Sequence, residues 1–390
     1  MIKIDSKEKC CGCSACASIC PKSCIRMIPD EKGFLYPRID ESICVNCGLC
    51  EKVCPIRNIE ERKLKKEAYA SYNKDESIRA LGSSGGLFGC FALEIIKRGG
   101  VVFGAAWEPG CKAVKHIGVT REEELGKLYG SKYLQSEMRD AYKEAKRYLD
   151  DDRYVLFTGT SCQINGLKLF LRKDYEKLIT MDVICHGTPS PKVWGDYALN
   201  VEKKMGSAIM KAEFRNKRFG WQRSVLLLLL CDGREFCELQ SENPYIKGFL
   251  SNIYLRDSCY ECACKGSHAC SDITLGDFWG IESVLPDLDP TKGVSALIVN
   301  TDKGKGLLKS TKDSLFIQEV AYESVLKGNP SLERPVSKPR GSDVFWEAYP
   351  KKGFDKALRK SLKAPFLKRC SRLSRRVGGK IKRILKRQPN

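Results

Sequence analysis

Residues 10–21 read CCGCSACASICP, and residues 44–55 read CVNCGLCEKVCP. Each stretch spaces four cysteines as C-x2-C-x2-C-x3-C, and a proline follows the fourth cysteine. Two such runs in one short segment are the ligand pattern of a pair of [4Fe–4S] clusters, because the fourth cysteine of each run reaches the cluster that the other run holds. The spacing therefore predicts two [4Fe–4S] clusters within residues 1–58.

The same pattern, which is that of bacterial two-cluster ferredoxins, assigns the ligands. Gly12 and Gly48 can adopt the positive φ of a tight loop, whose backbone N–H groups then point at the sulfurs. A zinc ribbon would show two CxxC pairs instead. Cys11 and Cys24 receive no role. The predicted ligands are Cys10, Cys13, Cys16 and Cys54 for cluster one, and Cys44, Cys47, Cys50 and Cys20 for cluster two.

The cysteine content and the start of the chain indicate the compartment. The chain has 390 residues and 21 cysteines, and disulfides are rare in reducing compartments, so clustered cysteines indicate metal ligands. No apolar segment follows the charged start, and the most apolar run, 225–231, is too short to cross a bilayer. We therefore expect a cytoplasmic protein. Four cysteines outside any motif are expected to be buried small hydrophobic residues, namely Cys90, Cys111, Cys231 and Cys237.

The chain divides by composition and periodicity. A ferredoxin-type domain spans 1–58, a charged linker spans 59–67, a larger domain spans 68–345 and a basic tail spans 346–390. Predicted strands interleave with predicted helices, but several strands follow one another directly, so we predict an α+β fold with a mixed sheet. The predicted helices are 86–98, 136–149, 161–171, 191–205 and 302–311, and the predicted strands are 101–107, 154–158, 178–184, 225–231 and 296–300.

Five motifs in the larger domain occur in a fixed order. They are LGSSGG at 81–86, GSKYLQS at 130–136, FTGTSCQ at 157–163, DVICHGTPS at 182–190, and CYECAC at 259–264 followed by DITLGDFWG at 272–280. Together they resemble the β subunit of coenzyme F420-reducing hydrogenase and dehydrogenase, over roughly residues 68–333. The resemblance implies a larger mixed α/β domain that binds FAD and a further iron–sulfur cluster.

The resemblance also implies where these groups bind. Cys264 and Cys270 could replace a ligand of the third cluster, and a zinc site on that loop is the alternative. Lys132 could neutralise a diphosphate or lie near the flavin ring, or it is an ordinary solvated lysine. The predicted ligands of a third [4Fe–4S] cluster are Cys162, Cys185, Cys259 and Cys262. The predicted flavin site comprises Ser83, Ser84, Gly85, Gly86, Ser131, Lys132, Tyr133, Thr158, Gly159, Thr160 and Gln163.

A chain with clusters and a flavin converts single electrons into electron pairs. We therefore predict an oxidoreductase that passes electrons from a low-potential donor such as ferredoxin through the clusters and FAD to F420 or another organic acceptor. No protein residue is predicted to act as a catalytic nucleophile. The alternative is a non-enzymatic subunit that relays electrons to a separate oxidoreductase. GxGxxG, GxSxG and P-loop motifs are absent, which argues against nicotinamide binding and against acyl or phosphoryl transfer.

The net charge of +20 is concentrated in the tail. Residues 351–390 contain 16 Lys or Arg and one acidic residue, a balance of 16 − 1 = +15. Leu373, Val377, Ile381 and Ile384–Leu385 recur at helical spacing, so the tail is predicted to form an amphipathic helix that contacts anionic membrane peripherally. An unstructured tail or an acidic protein partner is the alternative. Nucleic acid is an unfavoured partner, because the tail has few aromatic residues for base stacking.

Overall fold

A computed structural model describes the backbone of residues 1–384 and the side chains of residues 1–363. The N-terminal module consists of two short helices and a hairpin. Gly12 and Gly48 have φ of 69° and 74°, as the spacing of the cysteines predicts. Strand β1 pairs antiparallel with β2, so that Ile25 lies opposite Ile39. The elements are α1 (Ala15–Ile19), β1 (Ile25–Pro29), β2 (Leu35–Ile39) and α2 (Leu49–Lys52).

A mixed sheet of nine strands forms the body, in the order β14-β3-β13-β12-β8-β7-β4-β5-β6, and a second sheet has the order β11-β10-β9. The strands are β3 (Glu67–Asn73), β4 (Val101–Trp107), β5 (Val114–Val119), β6 (Ser136–Glu137), β7 (Val155–Gly159), β8 (Leu178–Val183), β9 (Ile209–Asn216), β10 (Val225–Leu230), β11 (Glu235–Leu239), β12 (Ile273–Asp277), β13 (Ser295–Val299) and β14 (Leu315–Val320). Strands β4, β7, β8 and β12 are parallel to one another, and β12, β13, β3 and β14 are successively antiparallel. The prediction of a mixed sheet is confirmed.

Helices cover both faces of the large sheet. Helices α4 and α9 pack on one face and α5 and α6 on the other, whereas α7, α8 and α11 pack with the small sheet around Trp194 and Tyr245. The helices are α3 (Glu76–Leu81), α4 (Leu87–Lys97), α5 (Ala141–Asp150), α6 (Ser161–Leu171), α7 (Pro191–Met205), α8 (Pro244–Leu250), α9 (Asp302–Thr311), α10 (Tyr322–Gly328) and α11 (Arg340–Ile384).

One predicted helix differs from the structure. The sequence predicts a helix over 136–149, but Ser136 and Glu137 form β6, which pairs in parallel with β5. Arg139 then has φ of 43°, which a helix does not accommodate. Helix α5 therefore begins only at Ala141.

The packed body extends past residue 345. Tyr349, Phe354 and Leu358 of α11 are buried against the core of the small sheet, and Gly353, with φ of 71°, interrupts the helix. The side chains of the predicted apolar stripe of the tail, and residues 385–390 altogether, lie outside the described residues, so its membrane contact stays a prediction. Among the residues that the structure describes, none of the helices has the length and hydropathy needed to cross a bilayer.

Substitution of Phe157 provides a test of the packing between the large sheet and its helices. Its side chain is fully buried and packs on Phe103, His116 and Tyr142 with ring centroids 5.4–5.7 Å away. We expect Phe157→Ala to lower the free energy of unfolding by about 3–5 kcal/mol, because a buried phenyl ring leaves a cavity. Denaturant unfolding followed by circular dichroism measures this.

The matched control is Phe219→Ala, since the Phe219 side chain is 54% exposed. That variant should change the free energy of unfolding by no more than about 0.5 kcal/mol. Equal losses in the two variants would contradict the packing described for β7.

Candidate iron–sulfur site

The predicted ligands of cluster two meet at one cavity. Cys20, Cys44, Cys47 and Cys50 all line it, although the two runs are far apart in sequence. Cys50 is buried and accepts a hydrogen bond from the Ile2 N–H at 3.3 Å, whereas Cys47 is exposed. Four convergent thiols and a backbone N–H aimed at sulfur fit a [4Fe–4S] cluster.

The predicted ligands of cluster one are buried side by side. Cys10, Cys13, Cys16 and Cys54 are each 7–8% exposed. Burial and the neighbouring thiols of Cys10 and Cys54 raise the pKa of Cys16 to about 12. Cys16 and Cys54 also share an apolar environment with Ile2 and Ile25. These residues fit a second [4Fe–4S] cluster, whose iron would hold the cysteines as thiolates.

Two cysteines without a predicted role lie beside these sites. Cys24 lies 3.3 Å from Cys20, measured between sulfurs, so cluster two has a fifth thiol at its edge. A hydrogen bond with the Cys11 thiol, together with burial, raises the pKa of Cys162 well above its usual range. Cys11 also interacts with Cys13. Cys11 therefore lies between the module and the body. The only sign of this in the sequence is that Cys11 stands next to Cys10.

The structure brings Cys162, Cys185, Cys259 and Cys262 together. Strands β7 and β8 are adjacent and parallel, so Cys162 and Cys185, which follow them, lie at the same sheet edge. Burial and the neighbouring thiols of Cys259 and Cys162 raise the pKa of Cys185. Burial and the nearby Cys262 thiol raise the pKa of Cys259 to about 12.

The two possible replacements differ in position. Cys264 is 1% exposed. Burial raises the pKa of its thiol, and the neighbouring thiols of Cys162 and Cys262 raise it further. Cys270 packs in the core beside α6, where its carbonyl accepts a hydrogen bond from Lys168 Nζ at 2.6 Å. Cys264 is thus the better candidate of the two. Within the described part of the chain, no three His, Cys, Asp or Glu side chains are arranged to hold a single metal ion.

The first two motifs of the predicted flavin site contact each other. Ser83 Oγ accepts a hydrogen bond from the Ser131 N–H at 2.7 Å. Lys132 is half-buried, and its Nζ donates to the carbonyls of residues 128–130 at 2.9–3.3 Å. Burial lowers the pKa of Lys132 to about 7. Lys132 is therefore not an ordinary solvated lysine.

The glycines of the first motif have a packing role of their own. The Gly85 N–H donates to Ser295 Oγ at 2.9 Å, and a Cβ at Gly85 would lie 2.6 Å from the Ser71 carbonyl oxygen. Ser84 Oγ donates to the Val294 carbonyl at 2.8 Å. A larger residue at position 85 would thus disturb β3 and β13 whether or not a ligand binds nearby.

The third motif of the predicted flavin site is hydrogen-bonded to the second through Ser136. Thr160 and Gln163 form a capping box at the start of α6, and Gln163 Nε2 donates to Ser136 Oγ at 3.0 Å. Ser136 Oγ lies 2.9 Å from His116 Nδ1, and His116 Nε2 lies 2.9 Å from the Thr158 carbonyl oxygen. Burial lowers the pKa of His116 to about 4, so the imidazole is neutral. His116 lies outside every motif, so the sequence does not single it out.

The remaining flavin candidates contribute packing. Tyr133 packs against Phe214 and Phe249, with ring centroids 5.2 and 4.9 Å away. Thr158 Oγ1 donates to the Phe103 carbonyl at 2.8 Å. A Cβ at Gly159 would lie 2.9 Å from Gln163 Oε1. These contacts fix the loop between β7 and α6.

The cysteines outside the motifs divide into two pairs. Cys90 and Cys111 are buried, as predicted. Cys231 and Cys237 are exposed, so the prediction that they are buried is wrong. Cys231 comes after the last residue of β10, and Cys237 lies on the outer strand of the small sheet. A side chain beyond the end of a strand or on an edge strand can face water even in an apolar sequence context.

Comparison with known proteins identifies two domains. Residues 9–58 match the 4Fe-4S dicluster domain. Residues 152–324 match the family described as the C terminus of the coenzyme F420 hydrogenase/dehydrogenase beta subunit. These matches confirm the predicted iron–sulfur module and the predicted family resemblance.

Individual relatives cover most of this chain. An F(420)H(2) dehydrogenase subunit, from Methanosarcina mazei, is 21% identical over 330 residues, which cover 80% of this chain and 85% of the relative. Coenzyme F420-dependent sulfite reductase of Methanocaldococcus jannaschii is 23% identical over 363 residues, which cover 87% of this chain and 52% of the relative. This chain thus spans about half the length of the reductase.

Among solved structures, a chain of the F420-reducing [NiFe] hydrogenase complex from Methanosarcina barkeri superposes with a TM-score of 0.47 and 16% identity, covering 72% of this chain and 99% of that chain. The domain matches carry the assignment. The chain therefore contains a 4Fe–4S dicluster domain at residues 9–58 and, at residues 152–324, the C-terminal domain of coenzyme F420 hydrogenase/dehydrogenase β subunits.

Proposed function

We propose that this chain is an iron–sulfur flavoprotein oxidoreductase. It takes electrons from a low-potential redox protein and delivers them to an organic two-electron acceptor, with coenzyme F420 as the first candidate. When bound, the clusters carry single electrons and FAD collects them in pairs. The observation that supports this proposal is the packing of the module on α6, the helix that carries Cys162, where a Cβ at Gly166 would lie 3.0 Å from Cys13 Sγ. The cysteine groups of the module and of the body thus adjoin one another in a series.

The series runs from the surface inward. Cys47 is exposed at the outer site, and the ligands of cluster one are buried behind it. Burial raises the pKa of Cys264, and among its neighbouring thiols are Cys162 of the third group and Cys54 of cluster one. The third group thus adjoins cluster one. An arrangement of this kind suits entry of electrons at cluster two.

The acceptor is inferred from the relatives. The Methanosarcina mazei and Methanocaldococcus jannaschii relatives both carry F420 in their names, which supports F420 as the acceptor or, with electron flow reversed, as the donor. A second candidate function is an electron-relay subunit without its own organic substrate. It is favoured by the description of the Methanosarcina mazei relative as one subunit of a dehydrogenase. FAD content distinguishes the two candidates, since a relay alone needs no flavin.

The third cluster is tested by iron content. Anaerobically reconstituted protein should hold about twelve iron atoms per chain, four for each of three [4Fe–4S] clusters. Cys262→Ser should lose about four of them and keep the electron paramagnetic resonance signals of the ferredoxin module. Cys237→Ser is the matched control, because Cys237 is exposed on β11. About eight iron atoms in the unaltered protein would remove the third cluster from the proposal.

The flavin site is tested by substitution of Lys132. A substitution of Gly85 would disturb β3 and β13 whether or not FAD binds, so it cannot report on the flavin. FAD should copurify noncovalently, and Lys132→Gln should weaken its binding roughly tenfold, or about 1.4 kcal/mol, through loss of a cation near the diphosphate. Burial lowers the Lys132 pKa to about 7. The ammonium therefore loses its proton as pH rises through about 7, so FAD retention should fall over this range in the unaltered protein but not in the variant.

Equilibrium dialysis with FAD at several pH values measures both effects. Lys127→Gln is the control, because Lys127 is exposed on the preceding turn and pairs with Glu124 at 2.9 Å. Identical FAD affinities for the two variants would remove Lys132 from the site. If the purified protein contains no FAD and does not bind added FAD, only the relay function would remain.

The docking surface for the donor is predicted beside cluster two. Ile43 and Val45 are 50% and 58% exposed next to Cys47, and Lys22 lines the same cavity as Val45. Val45→Glu should slow reduction by an acidic ferredoxin about tenfold, because it removes apolar contact and adds repulsion. Stopped-flow absorbance under anaerobic conditions measures this rate.

Two controls distinguish weaker docking of the donor from loss of the clusters or of the fold. Reduction by dithionite, a small reductant, should be unchanged in Val45→Glu. Met210→Glu, at a residue 55% exposed on β9, should leave both rates unchanged. If ferredoxin reduces Val45→Glu at the original rate, the donor docks elsewhere.

A further inference from the structure

Arg256 crosses from the body into the N-terminal module. It lies three residues before Cys259, and its backbone N–H donates to the Thr188 carbonyl at 2.9 Å. Its side chain is 1% exposed. Nε donates to the Cys10 carbonyl at 2.8 Å, and Nη2 donates to the Leu35 carbonyl at 3.0 Å. Nη1 donates to Gln135 Oε1 at 3.0 Å. All three acceptors are neutral.

Among the side chains that the structure describes, no carboxylate pairs with this buried cation. The neighbouring Asp257 pairs with Lys32 at 2.8 Å, and none of the ion pairs within the described residues includes Arg256. An arginine stays protonated in proteins, so the positive charge cannot be removed by titration. The nearest group that becomes anionic is the Cys10 sulfur, 3.5 Å from Nη2. The Tyr36 ring, with its centroid 4.2 Å from Cζ, supplies a weaker attraction.

The loop of cluster one is shaped around this guanidinium. A Cβ at Gly12 would lie 2.8 Å from Arg256 Nη1 and 2.9 Å from Cζ, and Gly12 has φ of +69°. Gln135 fixes the same loop, because its Nε2 donates to the Cys11 carbonyl at 3.0 Å. The guanidinium is therefore held against the loop by residues from both the module and the body.

We propose that Arg256 is the counter-charge of cluster one and raises the midpoint potential of that cluster. Four thiolates and a [4Fe–4S]²⁺ core sum to −2, and reduction makes the sum −3. Burial alone disfavours the more negative state, whereas a fixed cation close to a ligand sulfur favours it. Arg256 thus offsets the burial of cluster one. The inference rests on the two ferredoxin clusters and needs neither a third cluster nor FAD.

As a consequence, the burial of cluster one no longer opposes the transfer of an electron from cluster two to cluster one. One electron leaves the reduced cluster two, which returns to the 2+ state, and enters cluster one, which becomes 1+. An external low-potential redox protein then replaces the electron at the exposed Cys47 side. No bond forms or breaks, and no proton moves.

The test is a redox titration of the reconstituted full chain followed by electron paramagnetic resonance. Arg256→Gln should shift one midpoint potential to a more negative value, with at least a tenfold change in the electron-sharing equilibrium between the two clusters, or about 59 mV for one electron. Arg256→Lys, which keeps the charge, should stay near the unaltered protein. A shift in the lysine variant as large as that in the glutamine variant would overturn the proposal.

Arg57→Gln is the matched control. Arg57 lies three residues after Cys54, but its side chain is 40% exposed and pairs with Glu51 at 3.1 Å. Water and the carboxylate screen its charge, so its removal should change the equilibrium much less than removal of Arg256. Equal shifts for the two arginines would overturn the proposal.

Gln135→Glu is a second variant, to be titrated if Arg256→Gln does not retain its iron. It places a carboxylate against Nη1 and neutralises the buried charge while Arg256 stays, and it also removes the Nε2 donor to the Cys11 carbonyl. In protein that retains its iron, the same midpoint potential should become more negative. Full iron content with both potentials unmoved would overturn the proposal.

Discussion

The hydrogen bonds of the buried Arg256 guanidinium hold the cysteine module against the body. They join the Cys10 and Leu35 carbonyls of the module to a side chain of the body that precedes Cys259. A buried cation with hydrogen bonds on both sides tolerates little separation, because separation leaves its donors unsatisfied. The position of cluster one relative to the cysteines of the body therefore depends on this contact.

Parallel pairing of β7 and β8 is the second constraint. Because the two strands end at the same sheet edge, the residues that follow them, Cys162 and Cys185, come together through strand pairing and not through short spacing along the chain. Crevices at the carboxyl ends of parallel strands are common sites for ligands. The loop with Cys259 and Cys262 closes over this edge, and the adjoining Arg256 brings the module to the same place. One sheet edge thus unites the proposed third cluster with the dicluster module.

The motifs of the proposed flavin site form a hydrogen-bonded frame next to this edge. Ser83 and Ser131 join the first two motifs, and Ser136 joins the second motif to the third through Gln163. A frame with its own polar contacts satisfied changes little when a ligand binds, which lowers the cost of ordering on binding. Lys132 differs from the rest of the frame. Burial disfavours its charged form, so an anionic ligand would stabilise the ammonium.

The sequence by itself determined whatever depends on short separations along the chain. The two cysteine runs predicted the dicluster module that residues 9–58 match, because a cluster loop is built largely from residues three or four positions apart. The first residues of α6 and α7 were predictable as well, since Thr160, Gln163 and Ser190 cap the starts of these helices locally. Only the tertiary structure decided the rest. Cys11 meets Cys162 and Arg256 meets Cys10 across more than a hundred residues, and neither contact has a periodicity or a motif. The exposure of Cys231 and Cys237 likewise depends on where the small sheet has its edge. Contacts of this kind arise from the packing of whole elements, which no local pattern encodes.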